Sequence, residues 1–91
     1  MNESMKLPRL GEKKFDVLAA VVDHRSEHNY GPTVEEIRET VGLSSRSSVQ
    51  WHINHLTQDG LLENVSRKHR TLKATSRGQR LVEVLREMAD A

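Results

Sequence analysis

Between Pro32 and Glu63 the chain reads PTVEEIRETVGLSSRSSVQWHINHLTQDGLLE, two amphipathic stretches set so close together that both can be helical only if the helices cross steeply. Thr33 and Glu36 have the spacing of a capping box, in which the hydroxyl takes an orphan helix amide and the glutamate reaches back to the amide of the cap. The spacing predicts a helix from about Val34, with Val34, Ile37 and Val41 on one face and Glu35, Glu36 and Glu39 toward water. Gly42 stops it, because glycine takes the left-handed conformation that closes a helix. Only Leu43 and Ser44 separate that stop from a second cap, at Ser44 or Ser45. Val49, Ile53 and Leu56 then form the buried stripe of a second helix over about 45–59, which Gly60 ends. The pair reads as a helix-turn-helix.

The opposite face of the second helix carries Arg46, Ser47, Gln50, Trp51 and Asn54, with Ser45 and Ser48 beside its start. Small hydroxyls let a helix N-terminus come close to phosphates and base edges, and Gln or Asn can pair bidentately with adenine in the major groove. A polar face that meets only water is the competing reading. The residues that follow favour DNA: Leu61 to Val65 and Thr71 to Ala74 form two short strands, and Arg67, Lys68, His69 and Arg70 lie at the hairpin tip between them. Cations there suit backbone phosphates, together with the hydroxyls of Thr33 and Ser44 at the helix starts. Residues 44–80 hold seven Lys or Arg against two acids, a balance of +5, whereas residues 1–43 and 81–91 each carry −2, so the net +1 conceals a polar distribution.

From Leu10 to about Ala74 the chain resembles the DNA-binding domain of the LexA family of SOS repressors. The resemblance rests on the spacing from Leu10 through the Val17 to Val22 helix to Tyr30, and on GPTVEEI, VGLSSRSSV, HINHL and DGLLE. It implies a mainly α fold with a small β-hairpin wing: a winged helix-turn-helix of three helices and a two- or three-stranded sheet, here with a C-terminal helix added. It also implies base reading from Ser45, Ser47, Ser48, Gln50 and Trp51. Arg46 and Trp51 are bulkier than these positions often hold in the family, so an operator sequence does not transfer. Gly31 replaces a proline common before Pro32, which loosens the link between the first two helices. The family continues through a hinge into a self-cleaving serine-lysine peptidase domain, whereas this sequence stops at Ala91, and cleavage-controlled derepression is not expected of it.

Beyond the hairpin comes TSRGQRLVEVLREM, in which Ser76 is the expected cap of a helix with an apolar stripe of Leu81, Val84, Leu85 and Met88. The Thr-x-x-Gly step resembles the helix after the wing in the MarR and PadR groups of regulators, where it serves dimer formation. The stripe packs either on the protein's own core or on the same helix of a second chain. The small core of a 91-residue domain favours the second, a homodimer.

The first helix is expected over about Glu12 to Glu27, burying Val17, Leu18, Val21 and Val22 with Phe15 at its edge. The organisation is then a loose arm over 1–9, the winged domain over 10–75 and the C-terminal helix over 76–91. An apolar content of 35% and aromatic content of 3% imply one small core. With no cysteine, disulfides, thiolate metal sites and thiol nucleophiles are excluded. His24, His28, His52, His55 and His69 read as surface residues without a metal; were His52 and His55 to meet phosphates, protonation would strengthen binding as the pH falls toward about 6. No nucleophile-base set, phosphate-cradling glycine loop, signal-peptide core or membrane-length apolar run is present, so neither catalysis, a cofactor nor a membrane is expected. The expectation is a cytoplasmic, sequence-specific regulator of double-stranded DNA, acting as a repressor and nucleoid-associated if bacterial. The alternative is a winged-helix module that binds protein.

Overall fold

The computed structural model describes residues 12–64 and 71–90. Its elements in chain order are α1 (Lys13–His28), α2 (Val34–Val41), α3 (Arg46–Gln58), β1 (Leu62–Asn64), β2 (Leu72–Ala74) and α4 (Ser76–Asp90). The expected arm over 1–9 lies outside the described residues.

Helix α1 is the central element, in contact with α2, α3, β2 and α4. It therefore buries Phe15, Val17, Leu18, Ala19, Ala20 and Val21 rather than one narrow stripe. Phe15, expected at the edge, belongs to the core, because neighbours cover α1 on several sides. Asn29 closes α1 in the left-handed conformation, at φ 64°, and its N–H donates to the Arg25 carbonyl. From the other elements the core receives Ile37, Val49, Ile53, Leu56, Leu61, Leu62, Leu72 and Val82. Each fully buried aliphatic side chain contributes about 1.5–3 kcal/mol through removal from water.

The capping box forms as expected: the Thr33 hydroxyl accepts the Glu36 N–H at 3.1 Å, and the Glu36 carboxylate accepts the Thr33 N–H at 2.9 Å. Gly42, at φ 81°, ends α2, and Ser45 rather than Ser44 caps α3. Two lysines of α1 secure the far ends of these helices. Lys13 donates to the Val41 carbonyl at 3.1 Å, and Lys14 pairs with Asp59 at 2.7 Å, each a cation at a helix C-terminus.

The hairpin is antiparallel and two-stranded, with Leu62 opposite Ala74, Glu63 opposite Lys73 and Asn64 opposite Leu72. Strands of three residues have little stability of their own, so Leu62 and Leu72 hold them by packing into the helical core. Arg25 of α1 donates to the Leu72 carbonyl at 3.4 Å.

The start of α4 differs from expectation. Thr75, not Ser76, is the cap: its hydroxyl accepts the Gly78 N–H at 3.0 Å and donates to the Gly60 carbonyl at 2.6 Å. The Thr75 N–H donates to the Leu61 carbonyl at 3.0 Å. Gly78 lies directly against that same carbonyl, so closely that a Cβ on it would come within 2.1 Å of the oxygen. The helix is thus fastened to the chain segment between α3 and β1. Val82, outside the expected stripe, becomes its buried residue; Leu81 and Leu85 pack partly on the core, and Val84 and Met88 face solvent.

Candidate nucleic-acid interface

Because Val49, Ile53 and Leu56 face the core, helical geometry turns Arg46, Ser47, Gln50, Trp51 and Asn54 outward, and all five are exposed. Ser44 is exposed as well, just ahead of the helix. Ser45 and Ser48 are half-buried and bonded to each other: the Ser45 hydroxyl accepts the Ser48 N–H at 3.2 Å, and the two hydroxyls lie 3.1 Å apart. Thr33, in the capping box of α2, is likewise half-buried.

Gln50 and Asn54, one turn apart, are bonded through the Gln50 amide and the Asn54 carbonyl oxygen at 2.9 Å. Such a pair holds both amides in defined positions, and their exposure lets an incoming base edge replace the bond at small cost. Trp51 is 57% exposed, and its ring lies 4.0 Å from that of His55 between centroids, tilted across the outer face of α3. The indole projects from the helix beside Gln50 and offers an apolar surface to a thymine methyl or a sugar.

The turn between α2 and α3 is held by a feature that periodicity did not reveal. Arg38 donates to the Leu43 carbonyl at 3.2 Å, while its guanidinium forks onto the Glu35 carboxylate. Arg46, from α3, reaches the same carboxylate at 3.0 Å. Hydrogen bonds from Arg38 and then Arg46 hold Glu35 at a pKa of about 2, against 4.5 ordinarily. Arg46 therefore faces out at the N-terminal end of α3 but is tethered to α2. The i,i+3 spacing of Glu35 and Arg38 was legible; their meeting with Arg46 depends on the crossing of two helices.

His52 departs from the reading that would set it on a phosphate as a cation. It is half-buried, its Nδ1 is enclosed without a hydrogen-bond partner among the described residues, and its pKa is lowered by burial first and by Lys14 and His55 next. It stays neutral where a free histidine would begin to charge. At the end of α1, the rings of His24, His28 and Tyr30 cluster, with His24 and His28 at 4.5 Å between centroids and Tyr30 at 5.4 Å from each. Among the described residues no three His, Asp or Glu converge as a metal site. Arg67, Lys68, His69 and Arg70 lie outside the described residues.

Comparison with known proteins agrees with this geometry. The model of the LexA DNA binding domain matches residues 7–71. Among curated proteins, the LexA repressor of Oenococcus oeni is 40% identical over 72 residues, which is 79% of this chain and 34% of that protein. That of Ligilactobacillus salivarius is 35% identical over 74 residues, 81% of this chain and 36% of that protein. That of Limosilactobacillus fermentum is 42% identical over 66 residues, 72% and 32% of the two chains. The match thus spans about a third of the length of these relatives. With the family model covering α1 through β1 and ending at Thr71, just before β2, on a capped helix pair with an outward polar face, the chain belongs to the LexA DNA-binding domain family.

Proposed function

We propose that this protein is a sequence-specific double-stranded DNA-binding transcriptional repressor. Helix α3 enters the major groove, with Ser47, Gln50, Trp51 and Asn54 toward base edges and Arg46 at the groove end. Ser45 and Ser48 shape the helix N-terminus, where their own hydrogen bond leaves the neighbouring amides to a phosphate or base. Ser44 and Thr33, at the two helix starts, and Arg67, Lys68, His69 and Arg70, between the strands, contact the flanking backbone. The observation that carries the reading is the exposed polar face of α3, fixed from behind by Val49, Ile53 and Leu56 and at its entrance by Arg38 and Gly42. A groove-reading helix must be held rigidly while its outer side chains stay uncovered, and α3 meets both conditions.

The protein acts as a homodimer through the α4 stripe, with the exposed Val84 and Met88 at the contact and Leu81 and Leu85, which pack partly on the core, beside them, and works beside the chromosome in the cytoplasm. No catalytic step or cofactor enters this reading. Among the described residues no helix is long and apolar enough to cross a membrane.

Selection of bound duplexes from a random pool, followed by affinity measurement at two salt concentrations, tests the proposal. A recurring two-fold symmetric sequence and salt-dependent binding support it. Duplex affinity that is absent at low salt, together with capture of a protein partner by α3, contradicts it. Replacing Arg67 and Arg70 with alanine should weaken all duplexes alike and lower the salt slope by roughly two, since phosphate contacts release counterions without reading sequence.

A further inference from the structure

The charges along α4 run against its own dipole. A helix is favoured by acids near its N-terminus and bases near its C-terminus. The first turn of α4 has no acid and its last turn no base. Arg77 and Arg80 stand near the start and Glu87 and Asp90 near the end. Arg86, the remaining base, is engaged by Asp23 of α1 through two bonds of 3.0 and 2.8 Å. Within a single chain this order is mildly unfavourable.

The same order becomes favourable against an antiparallel copy. At 3.6 residues per turn, Arg77, Arg80, Val84, Glu87 and Met88 fall within about 100° of arc. That arc is turned away from Gly78 and Val82, the buried residues of the helix. Val84 is central and 37% exposed, and Met88 is 63% exposed. The face has an apolar middle and end, cations on one side of Val84 and an anion on the other.

We propose that this face binds the same face of a second copy, antiparallel and centred near Val84, so that Arg80 of each copy lies beside Glu87 of the other. The proposal rests on the homodimer reading above and assigns that dimer a register and an orientation. A two-fold axis brings unlike charges together twice and sets the two helix dipoles head to tail, which removes the conflict within each chain. A parallel arrangement would place Arg80 on Arg80 and Glu87 on Glu87. Because Thr75 and Gly78 fasten α4 to the Leu61 backbone and Arg86 fastens it to α1, the two α3 helices would be held at one fixed spacing. Half-site separation on DNA then follows from the α4 pairing.

Sedimentation equilibrium of the whole chain without DNA decides the matter, with circular dichroism to verify that each variant is folded. Wild type should dimerise. Arg80→Glu and Glu87→Arg, both at exposed positions, should each weaken the dimer about tenfold or more by replacing two attractions with two repulsions. The double variant Arg80→Glu/Glu87→Arg should dimerise as wild type does, and an equal mixture of the single variants should form a heterodimer. A dimer indifferent to all these changes overturns the α4 face while leaving a homodimer in place. Loss in the single variants without recovery in the double variant overturns the antiparallel register. A chain that stays monomeric, or whose stripe is covered by a segment of a longer chain, overturns both the face and the homodimer, and neither result touches DNA binding by α3.

Discussion

At Ser45 and at Thr75 a hydroxyl residue stands just before a helix and accepts the N–H of the third helical residue, Ser48 in one case and Gly78 in the other. The surroundings differ. Around Thr75 the cap's own groups bond to another segment: its N–H goes to Leu61, its hydroxyl proton to Gly60, and Gly78 is pressed on the Leu61 carbonyl. Around Ser45 the cap is local, and Ser44, Arg46, Ser47 and Gln50 beside it remain exposed. One chemistry therefore serves as a joint in the first place and as a platform in the second. What separates them is whether the cap residue itself bonds to a distant segment of the fold, as Thr75 does to Gly60 and Leu61.

The largest effect expected from this contrast is at Gly78. Gly78→Ala should destabilise the fold by about 2–3 kcal/mol despite the better helix propensity of alanine, because the obstacle is backbone and cannot move aside cheaply. Denaturant unfolding measures it, and a neutral or stabilising result would mean that α4 does not approach Leu61 so closely.

Removing the two caps sharpens the comparison. Thr75→Ala should cost about 1–2 kcal/mol, since the cap and the bond to Gly60 go together, and Thr75→Ser should recover most of it. Ser45→Ala should cost about 1 kcal/mol, for a cap and a hydroxyl pair that stay within one turn of α3. Equal losses in the two alanine variants would remove the distinction between joint and platform.

Much of this was legible in the amino-acid order. The capping box, Gly42 and the stripe of Val49, Ile53 and Leu56 follow from local spacing, and the outward direction of Ser47, Gln50 and Asn54 follows from that stripe. What sequence did not show depends on contacts between elements. Thr75 and Ser76 are both good caps, and the choice falls to Thr75 because the Gly60 and Leu61 carbonyls lie within its reach. Val82 replaces the expected stripe as the buried residue of α4 because the Gly78 contact fixes how the helix is rotated. Phe15 joins the core because α1 is covered from several directions, which blurs any period of 3.6. Arg46 reads as a free base-reading cation until α2 brings Glu35 beside it.

Two pH effects examine the platform from behind and beside it. Burial lowers the His52 pKa below its ordinary 6.5, so the unfolded chain takes up that proton first as the pH falls. Stability from this group is full above about pH 6.5 and declines below it. The loss of melting temperature between about pH 7.5 and 5 should accordingly be shallower in His52→Asn than in wild type, and an identical slope would remove His52 from the account. Glu35 titrates in the same sense at lower pH. Its carboxyl, lowered from 4.5 to about 2 by Arg38 and Arg46, contributes stability that is complete above pH 4.5 and lost as the pH falls through about 2. The melting-temperature difference between wild type and Glu35→Gln should be constant above about pH 5 and shrink steadily below 4.5. A difference independent of pH would show that the carboxylate charge is not what holds Arg38 and Arg46.

The most direct test of α3 as a reading surface is the affinity of Gln50→Ala for a selected duplex and for random DNA, compared with wild type under the same salt. Gln50 is exposed and lies on the side opposite the core, so folding stability should stay within about 0.5 kcal/mol of wild type. Binding to the preferred duplex should weaken by about 1–3 kcal/mol, with little change on random DNA. Equal losses on both duplexes, or none on either, would contradict base reading by this face.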